Sequence, residues 1–315
     1  MKRSEIRERL IGCPGFRYAP PGLRLLMLEA KGHRQPLVTK MHLTTAAKLR
    51  VPHLYHYQAF NVKYLREVIV GGTLHFSKPS DFNDPWDCRP WYDFDGIADP
   101  EILEQHVQWY VGVSQKHRPD ISIEQVNERA NFFRQNPPAL TAKIREFSQA
   151  MGDAINAQYR VYCLSTKSDC ELMWAHYAQK HQGICLEFSV ANELFCTAFP
   201  VQYALTYPHF FMTDHAGPEQ QIAPLLSKSS AWNYEDEFRL ISDEKGDPKD
   251  TIVTTAGKKD IPSKSLTAVI LGCLAPDSTK QSIIQMIAES RHRPALKRAV
   301  RMRNQYKLMI ADEPV

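Results

Sequence analysis

The chain of 315 residues contains no uninterrupted apolar run near the roughly 20 residues that a membrane-spanning helix needs, so no such span is expected. It has seven cysteines, none in a Cys-x-x-Cys pair, and no export signal is apparent. Reduced thiols in a cytoplasmic protein follow. The nearest approach to a zinc set is Cys170, His176 and His181, without the second cysteine pair a structural site needs. No Gly-x-Gly-x-x-Gly, Gly-x-x-x-x-Gly-Lys-Ser/Thr, Gly-x-Ser-x-Gly or His-Glu-x-x-His occurs. Rossmann dehydrogenases, P-loop hydrolases and the common serine and zinc hydrolases lose support accordingly. There is no internal repeat and no low-complexity tract.

What is present is ordinary globular composition, 43% hydrophobic and 23% charged. The charge is unevenly spread. Residues 1–50 hold 11 basic and 3 acidic side chains, residues 51–290 hold 21 and 30, and residues 291–315 hold 7 and 2. An acidic body thus lies between two basic ends, which either attract nucleic acid or are simply solvated or paired with that body. Three regions follow: a basic appendage at 1–50 broken by proline and glycine, a main domain at 51–290, and a basic segment at 291–315.

Local patterning predicts a strand at Leu54 to Tyr57, then a helix capped by Asn61 and ended by Gly71-Gly72. A strand follows at Thr73 to Ser77. A helical insert occupies about 100–158, punctuated by Pro119, Pro137 and Pro138. Further strands are expected at Arg160 to Ser165, Ile184 to Phe188, Thr197 to Tyr203, Glu237 to Ile241, Thr251 to Thr255, Ala268 to Leu271 and Tyr306 to Ile310. Helices are expected after Asp169 and at Thr279 to Ala288. Strands with irregular connections and helices grouped together argue an α+β fold. The sheet is expected to be central and largely antiparallel, either single or split.

Three clusters carry chemistry. In the first, Leu54-Tyr55-His56-Tyr57 and Leu74-His75-Phe76-Ser77 lead to Asn83-Asp84-Pro85-Trp86-Asp87, which is either a rigid turn or a packed loop over a pocket. The second is Leu172-Met173-Trp174-Ala175-His176-Tyr177, with His181, Gly183 and Glu187. Its Met and aromatic stripe reads first as core. The third is Lys228 followed by Trp232-Asn233-Tyr234-Glu235-Asp236-Glu237-Phe238-Arg239. Glu235 and Glu237 at the start of a strand point the same way, and Arg239 continues that face. This is either a site that stabilises positive charge or a surface ladder of ion pairs.

In this order the clusters resemble the bacterial family catalogued as domain of unknown function 2971. The resemblance covers about residues 54–275, and its most specific elements are Phe82-Asn83-Asp84-Pro85 and Met173-Trp174-x-His176-Tyr177. A weaker resemblance, carried by Tyr55-His56, Gly71-Gly72, Ser77 and Glu235-x-Glu237, is to the ADP-ribosyltransferase fold, whose sheet is split. That likeness implies a NAD-using transferase of toxin-like or phage-defence type, with a protein or nucleic-acid acceptor. Glu237 would stabilise the oxocarbenium ion formed when the nicotinamide–ribose bond breaks. Glu235 would orient the acceptor or hold the ribose hydroxyls. His56, Tyr57, Ser77, Asn83, Asp84, Trp86, Trp174, His176, Tyr177 and Arg239 would surround NAD.

Two other readings stay open. One is a non-catalytic module binding a ligand or protein. The other is a metal-dependent nuclease using Asp84, Asp87, Glu187 and Glu235 around magnesium, with Lys228 nearby. Two expectations follow from the transferase reading. Tyr57, Ser77, Asn83, Asp84, Trp174, His176 and Glu237 should border one pocket. Glu237→Gln should abolish NAD cleavage and leave the melting temperature nearly unchanged.

Overall fold

The computed structural model describes residues 44–89, 91–92, 96–118, 120–206, 209–210, 222–246 and 251–314. Most of the basic N-terminal appendage therefore lies outside the described residues. Its last part, from residue 44, belongs to the domain. Ala46 is buried in the main core, and its backbone N–H donates to the Ala198 carbonyl at 2.8 Å.

The fold is α+β. Eight strands form one mixed, mostly antiparallel sheet. In chain order they are β1 (His53–Gln58), β4 (Tyr159–Ser165), β5 (Ile184–Ser189), β6 (Phe199–Pro200), β10 (Glu237–Asp243), β12 (Leu266–Leu271), β13 (Ala295–Arg301) and β14 (Leu308–Asp312). Across the sheet they run β14-β13-β12-β5-β1-β4-β10-β6. Smaller two-stranded ribbons pair β2 (Thr73–His75) with β11 (Lys258–Asp260), β3 (Trp91–Tyr92) with β8 (His209–Phe210), and β7 (Gln202–Ala204) with β9 (Ser227–Ser229). In the main sheet the one parallel pair is β12 with β13, joined over the sheet by a helix at Asp277–Glu289.

One face of the sheet carries the larger core. Leu54, Tyr162, Leu164, Leu186, Phe188, Phe238 and Leu240 pack there beneath α1 (Val62–Ile69) and the Asp277–Glu289 helix, which contributes Ile283 and Met286. α1 begins as the sequence expects, with the Asn61 side chain accepting from the Tyr64 N–H at 3.3 Å. The opposite face holds Tyr57, Trp174, Cys185 and Ile270.

The helical insert is three helices, α2 (Pro100–His117), α3 (Ile123–Gln135) and α4 (Pro137–Gln158). Each start has a local cause. Asp99 accepts from Glu101 and Ile102, and Ser122 forms a capping box with Gln125. Pro100 and Pro137 stand in the first turns of α2 and α4, where a missing N–H does no harm. The insert has its own core of Val107, Trp109, Ala130, Phe133, Leu140 and Ile144.

Some expectations are corrected. The segment 291–315 is no separate tail, because it supplies β13 and β14 of the main sheet. Thr197 to Tyr203 divides into a 3-10 turn at Phe195–Thr197 and the short strands β6 and β7. Pro200 cannot donate to a ladder, so a continuous strand is broken there. Thr251 to Thr255 makes isolated bridges at Ile252 and Thr255 and no strand. Among the described residues no helix is long and apolar enough to cross a membrane.

Candidate functional site

The motif clusters meet in a buried ionic network on one face of the sheet. Asp87 arrives on the loop after Phe82. That loop is shaped by Asp84, whose Oδ1 accepts from the Trp86 N–H at 3.0 Å, while its carbonyl accepts from the Asp87 N–H at 3.1 Å. Glu235 ends a 3-10 turn, Ser230–Glu235, capped by Ser229. Asp236 then adopts a left-handed conformation, φ 45°, and Glu237 opens β10. The two glutamates thus converge from different elements. The expectation that both stand on one strand is corrected, because the left-handed residue between them turns the chain.

Lys228 joins them. Its Nζ lies 2.6 Å from Glu235 Oε2, 3.1 Å from Glu237 Oε2 and 3.6 Å from Asp87 Oδ2. Arg239, 0% exposed, grips Asp87 with Nη1 and Nη2 at 2.8 and 2.7 Å. Its Nε donates to Glu237 Oε1 at 2.8 Å, and Nη1 donates also to the Leu225 carbonyl at 2.7 Å. Tyr177 donates its hydroxyl to Glu235 Oε1 at 2.6 Å. The exposed-ladder alternative is excluded by this burial.

Three carboxylates face two cations, and they do not share the cations equally. Burial alone would raise Glu237, yet Arg239 and Lys228 bring it down to about 2. Glu235 goes the other way. Its burial and the nearby Glu237 charge outweigh Lys228 and lift it above its ordinary value. The excess negative charge, or the proton that cancels it, therefore resides on Glu235.

The strand register divides the predicted site residues. Tyr55 and Glu237 both pair with Ser165 of β4, one from each side, and Tyr55 also pairs with Glu187. Glu187, Tyr55, Ser165 and Glu237 form one cross-strand row on one face. His56 follows Tyr55, so it points to the other face. The expected single pocket is corrected accordingly. His56 is on the opposite side of the sheet from Glu237, whereas Ser77, bridged to Val161, is directed to the Glu237 face although it also borders the His56 cavity. Glu187 sits about three strand spacings, or about 14 Å, from Glu237, and is engaged by Lys297 at 2.9 Å and Thr267 at 2.8 Å. The four nuclease carboxylates do not converge, and no group of three metal-binding side chains occurs among the described residues.

The other candidates separate by burial. Trp174 is core: its Nε1 donates to the Ser168 carbonyl at 2.9 Å and its ring meets the Tyr57 ring edge-on at 5.1 Å. Tyr57 donates its hydroxyl to the Lys167 carbonyl at 2.8 Å. His176, Asn83 and Trp86 are exposed, with the His176 ring 6.4 Å from that of Tyr234.

On the other face lies a cavity of about 220 Å³, lined by His56, Gln58, Tyr64, Glu67, Val68, Thr73, His75, Ser77, Val161, Tyr162 and Cys163. Ser77 is fixed by reciprocal backbone hydrogen bonds with Val161, 2.9 Å each. The His56 ring stacks on Tyr162 at 4.4 Å, and its Nδ1 lies 2.8 Å from the Cys163 carbonyl. Burial holds His56 below its ordinary pKa, so the ring is neutral, with the proton on Nδ1 and Nε2 free to accept. Gln58 Nε2 and the Tyr162 hydroxyl are buried without a protein partner. Sequence reasoning did not single out Gln58, Glu67 or Tyr162 as site residues. The usable signal was strand alternation, which puts His56 and Gln58 on one face of β1.

Comparison with known proteins finds no matching family model, no matching curated protein and no matching solved structure.

Proposed function

We propose that the protein binds NAD, or a closely related dinucleotide, by placing its carboxamide-bearing ring in the cavity beneath His56. The observation that carries this reading is the set of unmet hydrogen-bonding groups around that cavity. Gln58 Nε2 and the Tyr162 hydroxyl are donors without an acceptor, and His56 Nε2 is an acceptor. A carboxamide offers the complement, one carbonyl acceptor and an amide donor. A buried polar group without a partner is costly, so a ligand that satisfies two of them gains that free energy on binding. The volume, about 220 Å³, exceeds the ~150 Å³ of an engineered cavity that holds benzene. It therefore suits a six-membered ring with a substituent and excludes the whole dinucleotide, whose remainder must lie outside.

A second, catalytic reading is favoured by Glu67, the one carboxylate lining this cavity, which Lys258 holds at 3.1 Å. In an ADP-ribosyltransferase-like reaction a carboxylate beside the ribose stabilises the oxocarbenium ion, and Glu67 is the residue on the correct side of the sheet for His56. Glu237 and Glu235 then serve as supporting structure for the fold.

The test is calorimetric titration of the full chain with NAD, nicotinamide and adenine, together with release of free nicotinamide over time. Binding of NAD and nicotinamide that is lost in Tyr162→Phe and His56→Ala supports the reading. Nicotinamide release lost in Glu67→Gln but kept in Glu235→Gln supports the catalytic form. No heat with any of the three ligands, under conditions where the chain is folded, overturns both.

A further inference from the structure

Between Arg291 and Ala311 the sequence contains seven basic residues and no acidic one. The structure sorts these cations by use. Lys297 pairs with Glu187, and Arg298 pairs with Glu313, each within the body of the fold. Arg301, Arg303 and Lys307 are different: they gather at the turn that joins β13 to β14 and make no ion pair among the described residues. The turn is closed by the Met302 N–H donating to the Lys307 carbonyl at 3.0 Å. Every residue from 301 to 307 is exposed.

In the middle of this turn stands Tyr306, with 103% relative exposure, its ring touching nothing that would account for an aromatic side chain there. Val300 and Met309, register partners across the hairpin, are also exposed beside it. The nearest acidic groups on these strands are Asp312 and Glu313, at the far end of β14 and about 14 Å or more along the strand from Leu308. The turn is thus exposed and basic, with a bare aromatic face at its centre.

We infer that this hairpin tip binds single-stranded nucleic acid, with Arg301, Arg303 and Lys307 on phosphates and a base stacked on Tyr306. Charge complementarity points to a polyanion. The unpartnered ring selects among polyanions, because a base offers a π-face and an acidic peptide does not. One exposed ring on a short turn suits an unpaired strand, whose bases are free to splay, better than a duplex, whose bases are already stacked. The inference is independent of what the His56 cavity holds.

The experiment uses the full chain and a labelled single-stranded oligothymidylate, with affinity read by fluorescence anisotropy across a salt series. The same titration is run with Tyr306→Ala, with the double variant Arg303→Gln/Lys307→Gln, and with polyglutamate as competitor. Melting curves of the exposed-tip variants check that they fold. Tyr306→Ala is expected to weaken binding by about fivefold or more, the range reported by loss of one stacked base. The double variant is expected to reduce the slope of log affinity against log salt by about 1.4, since each single-strand phosphate contact contributes about 0.7. Unchanged affinity and slope in both variants would overturn the inference and send any binding to another basic region. So would absence of binding by the wild type at low salt, or polyglutamate competing as well as oligothymidylate with no effect of Tyr306→Ala.

Discussion

Tyr55 and Glu237 stand directly opposite the same residue, Ser165, from the two sides of β4. One consequence is that the side chain following Tyr55 faces away from Glu237. The motif that begins with His56 and the motif that ends with Arg239 thus serve two different faces of one sheet. On one face is an ionic network sealed from water, and on the other a cavity with unmet polar groups.

Arg239→Met should destabilise the fold by about 3–5 kcal/mol, because it strands Asp87 and Glu237 as buried charges with Lys228 alone. Glu237→Gln should also destabilise, by about 2 kcal/mol, since a charged hydrogen-bond acceptor is replaced by a neutral one. This reverses the sequence-based expectation of an unchanged melting temperature. Urea denaturation of both variants decides it, and a loss below about 0.5 kcal/mol in each would mean the network is not what holds the Asp87 loop.

The two glutamates should leave opposite marks on stability against pH. Glu237 is depressed from 4.5 to about 2, so its contribution is present above 4.5 and lost as pH falls through 2. Glu235 is raised, so its contribution is present below 4.5 and lost as pH climbs through the elevated value. Denaturation midpoints from acid to mildly alkaline pH should therefore show a flattened acid limb in Glu237→Gln. In Glu235→Gln the decline that begins above pH 4.5 should be the part that disappears. Identical profiles for both variants would remove the assignment of the spare proton to Glu235.

Tyr162→Phe should separate stability from binding. Removing a buried hydroxyl that has no protein partner should leave the unliganded fold as stable as the wild type or up to about 1–3 kcal/mol more stable. The same change should weaken any carboxamide ligand of the cavity. A clear loss of stability without ligand would show that the hydroxyl has a partner, such as an ordered water, that matters to the fold.

Gly183→Ala should destabilise by about 1–3 kcal/mol. A Cβ at this position would lie 2.5 Å from the Gln58 carbonyl oxygen and 2.8 Å from the Ala178 carbonyl carbon. The glycine of the His181-x-Gly183 motif is therefore present because two backbones approach it. A melting temperature equal to the wild type would show that β1 and the turn after Ala178 can move apart freely.

Much of the architecture was legible because it is written in local chemistry. Asn61 caps its helix where its side chain says it should, and the insert's boundaries follow from Pro100, Pro137 and the return to β-branched and aromatic residues at Tyr159. The cap expected of Asp169 is corrected, because the helix starts at Glu171 with Cys170 at its N-cap and no side-chain cap bond. What stayed hidden depended on pairing at long range. Nothing near Arg239 announces that Asp87 will pair with it, since the two are 152 residues apart. The separation of His56 from Glu237 was equally invisible, because it follows from the register of β1 and β10 on β4 and a shift of one residue would reverse it. β13 was missed because its basic positions, the half-buried Lys297 and Arg298 and the exposed Arg301, mask the buried Leu296 and Ala299.

The strand order also sets a schedule for the nascent chain. β1 finds its neighbours only in β4 and β5, and Tyr55 must wait for Ser165, 110 residues later, before the ladder on that side can begin. At roughly 5–20 residues per second of synthesis, this strand is made on the order of 5–20 s before its first partner exists. During that interval Leu54 and Tyr57 have no sheet to enter, and the helical insert, whose core is its own, is the unit that can fold first.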